Sequence, residues 1–475
     1  MPPSPNSTIQ TLAAEAGQPQ LLAFWERLDD ASRGRLEAQL RGFDWQQIAA
    51  CQQLAASRWA AAGPAPTLDL SGARTPPCHP LNSGEQQVIE AGKEALAAGS
   101  IGGILVAGGQ GTRLGFKGPK GTFPVGPVSQ ATLFELLLGT LRAVKRRYGH
   151  RVPLAIMTST ATDAATREFL DRHNFCGLDP EQVLLFQQGT LPAVDAATGL
   201  LLLDAPDHVA VAPDGHGGML GGLAASGGLE WFASLGVETV VSFQVDNPLA
   251  RPFDPEFLGR HRLTAASFST QVIRKTDPAE RVGVVAEQDG VTRVIEYSDL
   301  PDDLAAERLA NGQLRFHAGS IAIHAFDRGF LERAAADADS LPLHLAHKQV
   351  PCLDPSGRLE QPKSPNAFKF ERFIFDLMPL AERVTVVEVA AAEGFAPLKN
   401  PSGTASDSPE TVRQAMVAYA RRHLAAAGIA VADGIDVELD TASILDDDDL
   451  RQLAAAGSLP GNRIDHPQVV RAVKY

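Results

Sequence analysis

The chain is expected to fold as an α/β protein, with a mainly parallel sheet flanked by helices, a small helical domain before it and a small domain after it. Three observations carry that expectation. Between about residues 83 and 270, short apolar β-rich runs alternate with amphipathic helical stretches, the pattern of parallel strands joined by helical crossovers. One such run, Ile104-Leu105-Val106, stops at a glycine cluster, the usual end of a buried strand. Residues 20–58 instead repeat their leucines at helical spacing, so a helical segment precedes the sheet.

At 475 residues the chain is too long for one ordinary core, and two or three domains are expected. The expected division is a helical N-terminal domain with its linker at 1–82, a large α/β domain at 83–400 and a small C-terminal domain at 401–475. Leu21, Leu22, Trp25 and Leu28 share one helix face, Leu36, Leu40 and Phe43 another, and Asp44 can cap a third segment. GPAPTLDLSGARTPP, residues 63–77, is rich in turn formers and reads as a linker lying over the surface. A helix over 83–98, ended by Gly99, leads into the strand before the glycine cluster. Helix is then expected over 133–145 and 220–235, and strand over 152–158, 183–187 and 239–245. In such sheets ligands sit beyond the carboxyl ends of the strands, where the glycine loop and Asp246 both fall. PSGTASDSPE, from 401, is a polar linker into a helix over 411–427, and the acidic run 446–449 belongs to a short acidic tail region.

Composition narrows the class. Hydrophobic residues make up 44% and charged residues 21%, ordinary for a globular protein, and no run approaches the roughly 18 apolar residues of a membrane span. MPPSPNSTIQ shows no basic stretch followed by an apolar one, so no secretory signal is read there. Cys51, Cys78, Cys176 and Cys352 lie far apart, with neither zinc spacing nor a disulfide framework, and reduced thiols in a cytoplasm are the simplest reading. A net charge of −14 argues against a nucleic-acid partner, because phosphate backbones are bound by net basic faces. An acidic protein that binds phosphates must gather its few cations locally.

Residues 105–120, LVAGGQGTRLGFKGPK, do so. Gly108, Gly109, Gly111 and Gly115 let the backbone turn freely and bring N–H groups close to an anionic or planar ligand, and Arg113 and Lys120 add charge. The loop lacks both the G-K-[ST] ending of a P-loop and the G-x-G-x-x-G spacing of a dinucleotide-binding turn, so neither an ATPase nor a dehydrogenase fits.

GGQGTRLG followed by PK resembles the signature loop of nucleotide-sugar pyrophosphorylases, specifically the eukaryotic-type UDP-N-acetylglucosamine pyrophosphorylases and their UDP-sugar relatives. Further matching segments follow in the family's order: FQQGTLP from 186, APDGHGG from 212, QVDNPLARPFDPEFLG from 244, VIEYSDL from 294, FHAGSIAIHAF from 316, KFERFIFD from 369 and FAPLKN from 395. The resemblance spans roughly residues 85–425, and such an ordered series is far more specific than any one motif.

The resemblance implies a Rossmann-like (GT-A-like) nucleotidyltransferase that joins UTP to a sugar 1-phosphate with Mg²⁺, releasing pyrophosphate. It implies that Arg113, Lys120 and Lys399 act on the phosphates, and that Asp246 holds the metal. Gln188, with the backbone of Gly108, Gly109, Gly111 and Gly215, would bind the nucleotide, since a side-chain amide can satisfy a donor and an acceptor on the uracil edge. Glu296, Tyr297, His216, His317, Phe373 and Phe375 would lie at the sugar. Spaced by two, the two phenylalanines would put both rings on one face of an extended segment.

Two departures concern the sugar. His216 stands in PDGHGG where N-acetylglucosamine enzymes usually have Asn and glucose-type or broad UDP-sugar enzymes tend to have His. His317 and Ser320 in FHAGS replace the two Asn of the usual FNAGN. N-acetylglucosamine 1-phosphate is the expected substrate, with a broad or glucose/galactose range as the alternative. A UDP-sugar-dependent glycosyltransferase expects a D-x-D motif that Val245-Asp246-Asn247 does not supply, and a silent UDP-sugar sensor would have no use for cations placed for a leaving pyrophosphate. Oligomeric state is not readable from the sequence.

Overall fold

The computed structural model describes residues 8–60, 69–337, 340–457 and 463–471. The opening residues read for a secretory signal (1–7) and part of the expected linker (61–68) lie outside the described residues. The chain divides into two compact units, one of Met1–Leu68, Gln188–Gly218 and Leu341–Ile374, the other of Asp69–Gln187, Met219–Ser340 and Phe375–Tyr475.

In the first unit the N-terminal helices do not stand as a domain of their own. Asp30–Arg41 and Trp45–Ala60 are helical as expected, and Asp44 caps the second by accepting from the N–H groups of Gln46 and Gln47. The stretch read as one helix face, Leu21 to Leu28, is instead two 3₁₀ turns, Pro19–Leu22 and Trp25–Arg27. Pro19 opens the first of these turns, and neither is long enough to continue as an α-helix. Leu21, Phe24, Leu36, Leu40, Ile48 and Cys51 are buried against Leu191, Val194, Val209, Phe368 and Phe370. The strands that cover them are His344–Lys348, Ala367–Glu371 and Val194–Asp195, paired antiparallel in that order. Helices this short are marginal alone, and strands from two later segments bury their apolar face. The expected 1–82 division therefore differs from the packing.

The second unit holds the predicted sheet. Its strands run, side by side, Cys78–Pro80, Val384–Glu388, Phe268–Arg274, Ala318–Asp327, Thr239–Gln244, Ile101–Val106, Leu154–Thr158 and Val183–Gln187. All neighbours pair parallel except Ala318–Asp327, which is antiparallel to both of its own. The hairpin Val284–Gln288 and Val291–Ile295 joins it at the side of Ala318–Asp327. Ile101–Val106 is buried at its first five positions, as expected of a central parallel strand covered on both faces. Leu133–Tyr148 starts at a Thr132/Glu135 capping box and contributes nine buried residues. The helix expected over 220–235 is two, Gly218–Ala225 and Gly228–Ser234, broken where Gly227 takes a left-handed φ of 73°.

Two further expectations change. The described end of the linker is not a surface strap, because Leu70 and Ala73 are buried with Val284, Ile295 and Phe316 and cover the hairpin. The acidic run, read as part of a short acidic tail region, belongs to folded structure. Asp446 caps the helix Asp447–Ala455, Arg147 pairs with Asp446 at 2.8 Å and Asp449 at 2.7 Å, and Leu424, Ile429, Val437, Leu450 and Val470 form a small core around it. Buried Glu438 ties this region down by accepting from the N–H groups of Val128 and Ser129 and the Ser129 hydroxyl at 2.6–2.9 Å. The four cysteines are free. Among the described residues no helix is long and apolar enough to cross a membrane.

Candidate active site

Thr239–Gln244 lies next to Ile101–Val106 in register, Gln244 opposite Val106, so the chain leaves both strands at the same edge. The Val245 N–H donates to the Val106 carbonyl at 3.0 Å, and the next residue is Asp246. From Val106 the glycine loop folds back on itself: Gly111 N–H donates to Gly118 O at 2.9 Å and Lys120 N–H to Gly109 O at 3.0 Å. The N–H groups of Gly108, Gly109 and Gln110 donate to nothing among the described residues. Three successive amides at a strand end form a concavity suited to an anion or a planar base edge. Arg113 is exposed on the same loop.

The returning loop brings the Lys120 ammonium to 3.1 Å from Asp246 Oδ2, with 16% and 13% of the two side chains exposed. Lys399 arrives from the opposite direction in sequence. The Leu398 N–H donates to the Asp246 carbonyl at 2.8 Å, and the Lys399 ammonium stands 5.9 Å from the Phe395 ring centroid.

Two residues of this group were not singled out from the sequence. Buried Asn247 donates to Gly394 O at 2.8 Å and accepts from Ala396 N–H at 3.0 Å, which ties the Asp246 turn to the segment carrying Lys399. Its place directly after Asp246 was the available signal. Asp407 accepts on its carbonyl from the N–H groups of Lys399 and Asn400, and burial raises its carboxyl, with Lys399 and Lys120 opposing and Asp246 adding to the rise. It lay in a stretch that read only as a polar linker. Among the described residues no group of three or more His, Cys, Asp or Glu could hold a metal alone; the hard oxygen donors here are Asp246 and Asp407.

Farther along the same edge, Ser320 and Glu296 come together at Gly283. The Gly283 carbonyl accepts from Ser320 N–H at 2.8 Å, and a Cβ on Gly283 would stand 2.9 Å from Glu296 Oε1. His317 Nδ1 lies 3.0 Å from the Leu314 carbonyl; a carbonyl only accepts, so Nδ1 carries the hydrogen and, in the neutral ring, Nε2 is the acceptor. Tyr297 is 49% exposed. Phe375 is buried in the 3₁₀ segment Ile374–Leu380, so it and Phe373 do not share a face of an extended segment; the strand ends at Glu371.

Gln188, Gly215, His216 and Phe373 belong to the first unit. Gln188 is buried. Phe373 lies between two imidazoles, its ring centroid 5.3 Å from that of His216 and 4.5 Å from that of His344. His216 Nδ1 accepts from the Ile374 N–H at 3.2 Å, and burial, with the charge of His344, pushes its pKa down to about 4. His216 is therefore neutral at pH 7 with its hydrogen on Nε2. In the same unit, Asp214 is 7% exposed and its carboxylate is wedged where a Cβ on Gly189 or Gly218 would overlap it, at 2.5 and 1.9 Å. Burial, opposed by Arg372, pushes its carboxyl up to about 6.

A family model described as UTP–glucose-1-phosphate uridylyltransferase matches residues 84–408 of the chain. The chain belongs to this family. Among relatives, it is 38% identical over 448 residues to a UDP-N-acetylhexosamine pyrophosphorylase-like protein of Mus musculus, covering 91% of this chain and 88% of that one. It is 33% identical over 448 residues to a UDP-N-acetylglucosamine pyrophosphorylase of Saccharomyces cerevisiae, covering 90% and 93%. Among solved structures, the UDP-N-acetylglucosamine pyrophosphorylase of Trypanosoma brucei superposes with a TM-score of 0.80 at 25% identity, over 96% of this chain and 97% of that one. Members of this uridylyltransferase family are nucleotidyltransferases, so the strand-end loop, Lys120 and Asp246 are read as parts of an enzyme.

Proposed function

We propose that the chain is a UTP:sugar-1-phosphate uridylyltransferase, with N-acetylglucosamine 1-phosphate its best substrate. The single observation that carries the reaction class is the Lys120–Asp246 pair at the mouth of a loop with three unused amides. A phosphate oxygen of the sugar 1-phosphate attacks the α-phosphorus of UTP in line, the new P–O bond forms, and the bond to the bridging oxygen breaks as pyrophosphate leaves with its electron pair. The chemistry needs positioning and charge neutralisation more than covalent help, and no enzyme nucleophile is required. The loop amides with Arg113 hold the triphosphate, Lys120 neutralises its phosphates and Lys399 the sugar phosphate. Gln188 and the backbone of Gly215 read the uracil.

Asp246 is the proposed Mg²⁺ ligand, with Asp407 close enough to bear on it. One or two carboxylates suit this ion, which keeps several waters and takes its other oxygens from phosphates. Bound there, Mg²⁺ would neutralise charge on the reacting phosphates. The cytoplasm is the proposed compartment, on the strength of four widely spaced free cysteines.

The sugar is the finer part of the proposal. His216 carries its hydrogen on Nε2 and His317 carries one on Nδ1, where Asn in the related enzymes offers a donor and an acceptor on one amide. The names of the relatives support an N-acetylated hexosamine. The test is pyrophosphate release from UTP with the 1-phosphates of N-acetylglucosamine, N-acetylgalactosamine, glucose and galactose. Preference for the first over glucose 1-phosphate should be about 100-fold, as a site loses when buried polar groups are left unpaired. A win for glucose or galactose 1-phosphate makes the broad-range enzyme the correct reading.

A further inference from the structure

Lys275 follows the strand Phe268–Arg274 at the edge that carries the candidate site. It is 3% exposed, which is rare for a lysine unless it is paired. Its backbone N–H donates to the His317 carbonyl at 2.7 Å, and its neighbour Arg274 pairs in register with Ala318. The residue is thus placed beside His317. Among the described residues its ammonium has no ion-pair or hydrogen-bond partner.

The acids closest to it are committed elsewhere. Glu280 Oε1 accepts from the Thr276 and Asp277 N–H groups at 2.9 and 2.8 Å, and Asp277 Oδ1 accepts from the Ala279 N–H at 2.9 Å. Burial lowers the Lys275 pKa, and the charges of Glu280 and Asp277 only partly offset it. A buried cation without a close counter-ion is costly, and the cost is recovered when an anion arrives.

Resting on the uridylyltransferase reading above, we propose that the Lys275 ammonium binds an anionic oxygen of the sugar 1-phosphate. Lys120 and Lys399 gather where the two phosphate-bearing substrates meet; Lys275 stands on the sugar side of that point, two strands over from Asp246, and selects the phosphorylated sugar over the free one. It is a substrate-binding residue additional to those already named.

The experiment uses the full chain with Lys275→Met, which keeps length and removes charge, and Lys275→Arg, which keeps charge. In K275M the KM for N-acetylglucosamine 1-phosphate should rise at least about 10-fold while the KM for UTP stays within about twofold and the melting temperature does not fall. K275R should recover most of the loss. A KM unchanged within about twofold, or a parallel rise for both substrates with a lowered melting temperature, overturns the assignment in favour of a structural lysine. Should K275M fail to fold, pH decides. The sugar-phosphate KM of the wild type should climb as pH rises, at a pH below the ordinary lysine range, as the depressed lysine deprotonates, and that of K275R should climb less; superimposable profiles overturn the proposal. A wild type that releases no pyrophosphate with any sugar 1-phosphate refutes the parent reading, whereas an active wild type with an unaltered K275M refutes only the role of Lys275.

Discussion

Lys120 and Asp246 stand 126 residues apart in sequence and 3.1 Å apart in the fold. The glycine loop turns back from one strand and delivers the lysine to the carboxylate that follows the neighbouring strand. Without substrate each is the other's counter-ion, in a site that shields them from most of the solvent.

Removing the cation tests what the pair is for. Lys120→Ala should lower turnover at least about 100-fold, since one well-placed charge at a reacting phosphoryl group contributes roughly 3 kcal/mol. The measurement is steady-state pyrophosphate release, with circular dichroism to show that the fold persists. A loss below about threefold in folded protein would mean that Lys120 serves only Asp246.

Removing the carboxylate should separate metal from nucleotide. In Asp246→Asn the Mg²⁺ concentration for half-maximal rate should rise about 10-fold or more, since a neutral amide is a far weaker ligand for a hard dication. UTP binding measured by calorimetry without metal should change little. Normal activity at low Mg²⁺ would refute the metal assignment.

Asp214 predicts a pH-dependent gain in stability. Its folded pKa of about 6 lies above the ordinary 3.8, so the native state favours the protonated acid. Stability is greatest below the unfolded pKa and declines as pH rises to the folded one. Asp214→Asn keeps the shape without the charge and should stabilise the protein at pH 8 by on the order of 2–3 kcal/mol, and hardly at all near pH 4. Equal melting-temperature differences at the two pH values would falsify the account.

His423 predicts a slope of the same sign, from a group that stabilises when charged. Burial opposes its charge, but hydrogen bonds to Glu393, at 2.8 Å, and to Asp447 prevail and raise its pKa, while Glu393 is driven down to about 2 chiefly by the same histidine. A raised histidine contributes stability that is complete below its unfolded pKa near 6.5 and is lost as pH climbs through the folded value. His423→Gln should therefore cost clearly more melting temperature at pH 6 than at pH 9. A difference that does not vary with pH would show that the histidine acts only through packing.

By itself the sequence determined the parallel sheet, the strand that ends in glycines, and the cations and carboxylate at its edge. Those features are written locally: an apolar run has one periodicity, and a glycine cluster after a buried strand has few conformations open to it. Local pattern also misled. Leu21 and Trp25 kept helical spacing but sit in 3₁₀ turns, because spacing records which face is buried and not the hydrogen bonds beneath it. Phe373 and Phe375 read as an extended pair because nothing nearby marks the strand's end at Glu371.

Only the tertiary structure decided which distant segments meet. It put the N-terminal helices against strands from 188–218 and 341–374, brought Asp407 out of a polar stretch to Lys399, and left Lys275 buried beside His317. The physical reason is common to all three. Burial and charge pairing are satisfied by whichever surfaces come together, and a partner contributed by another segment leaves no periodic trace near the residue it completes.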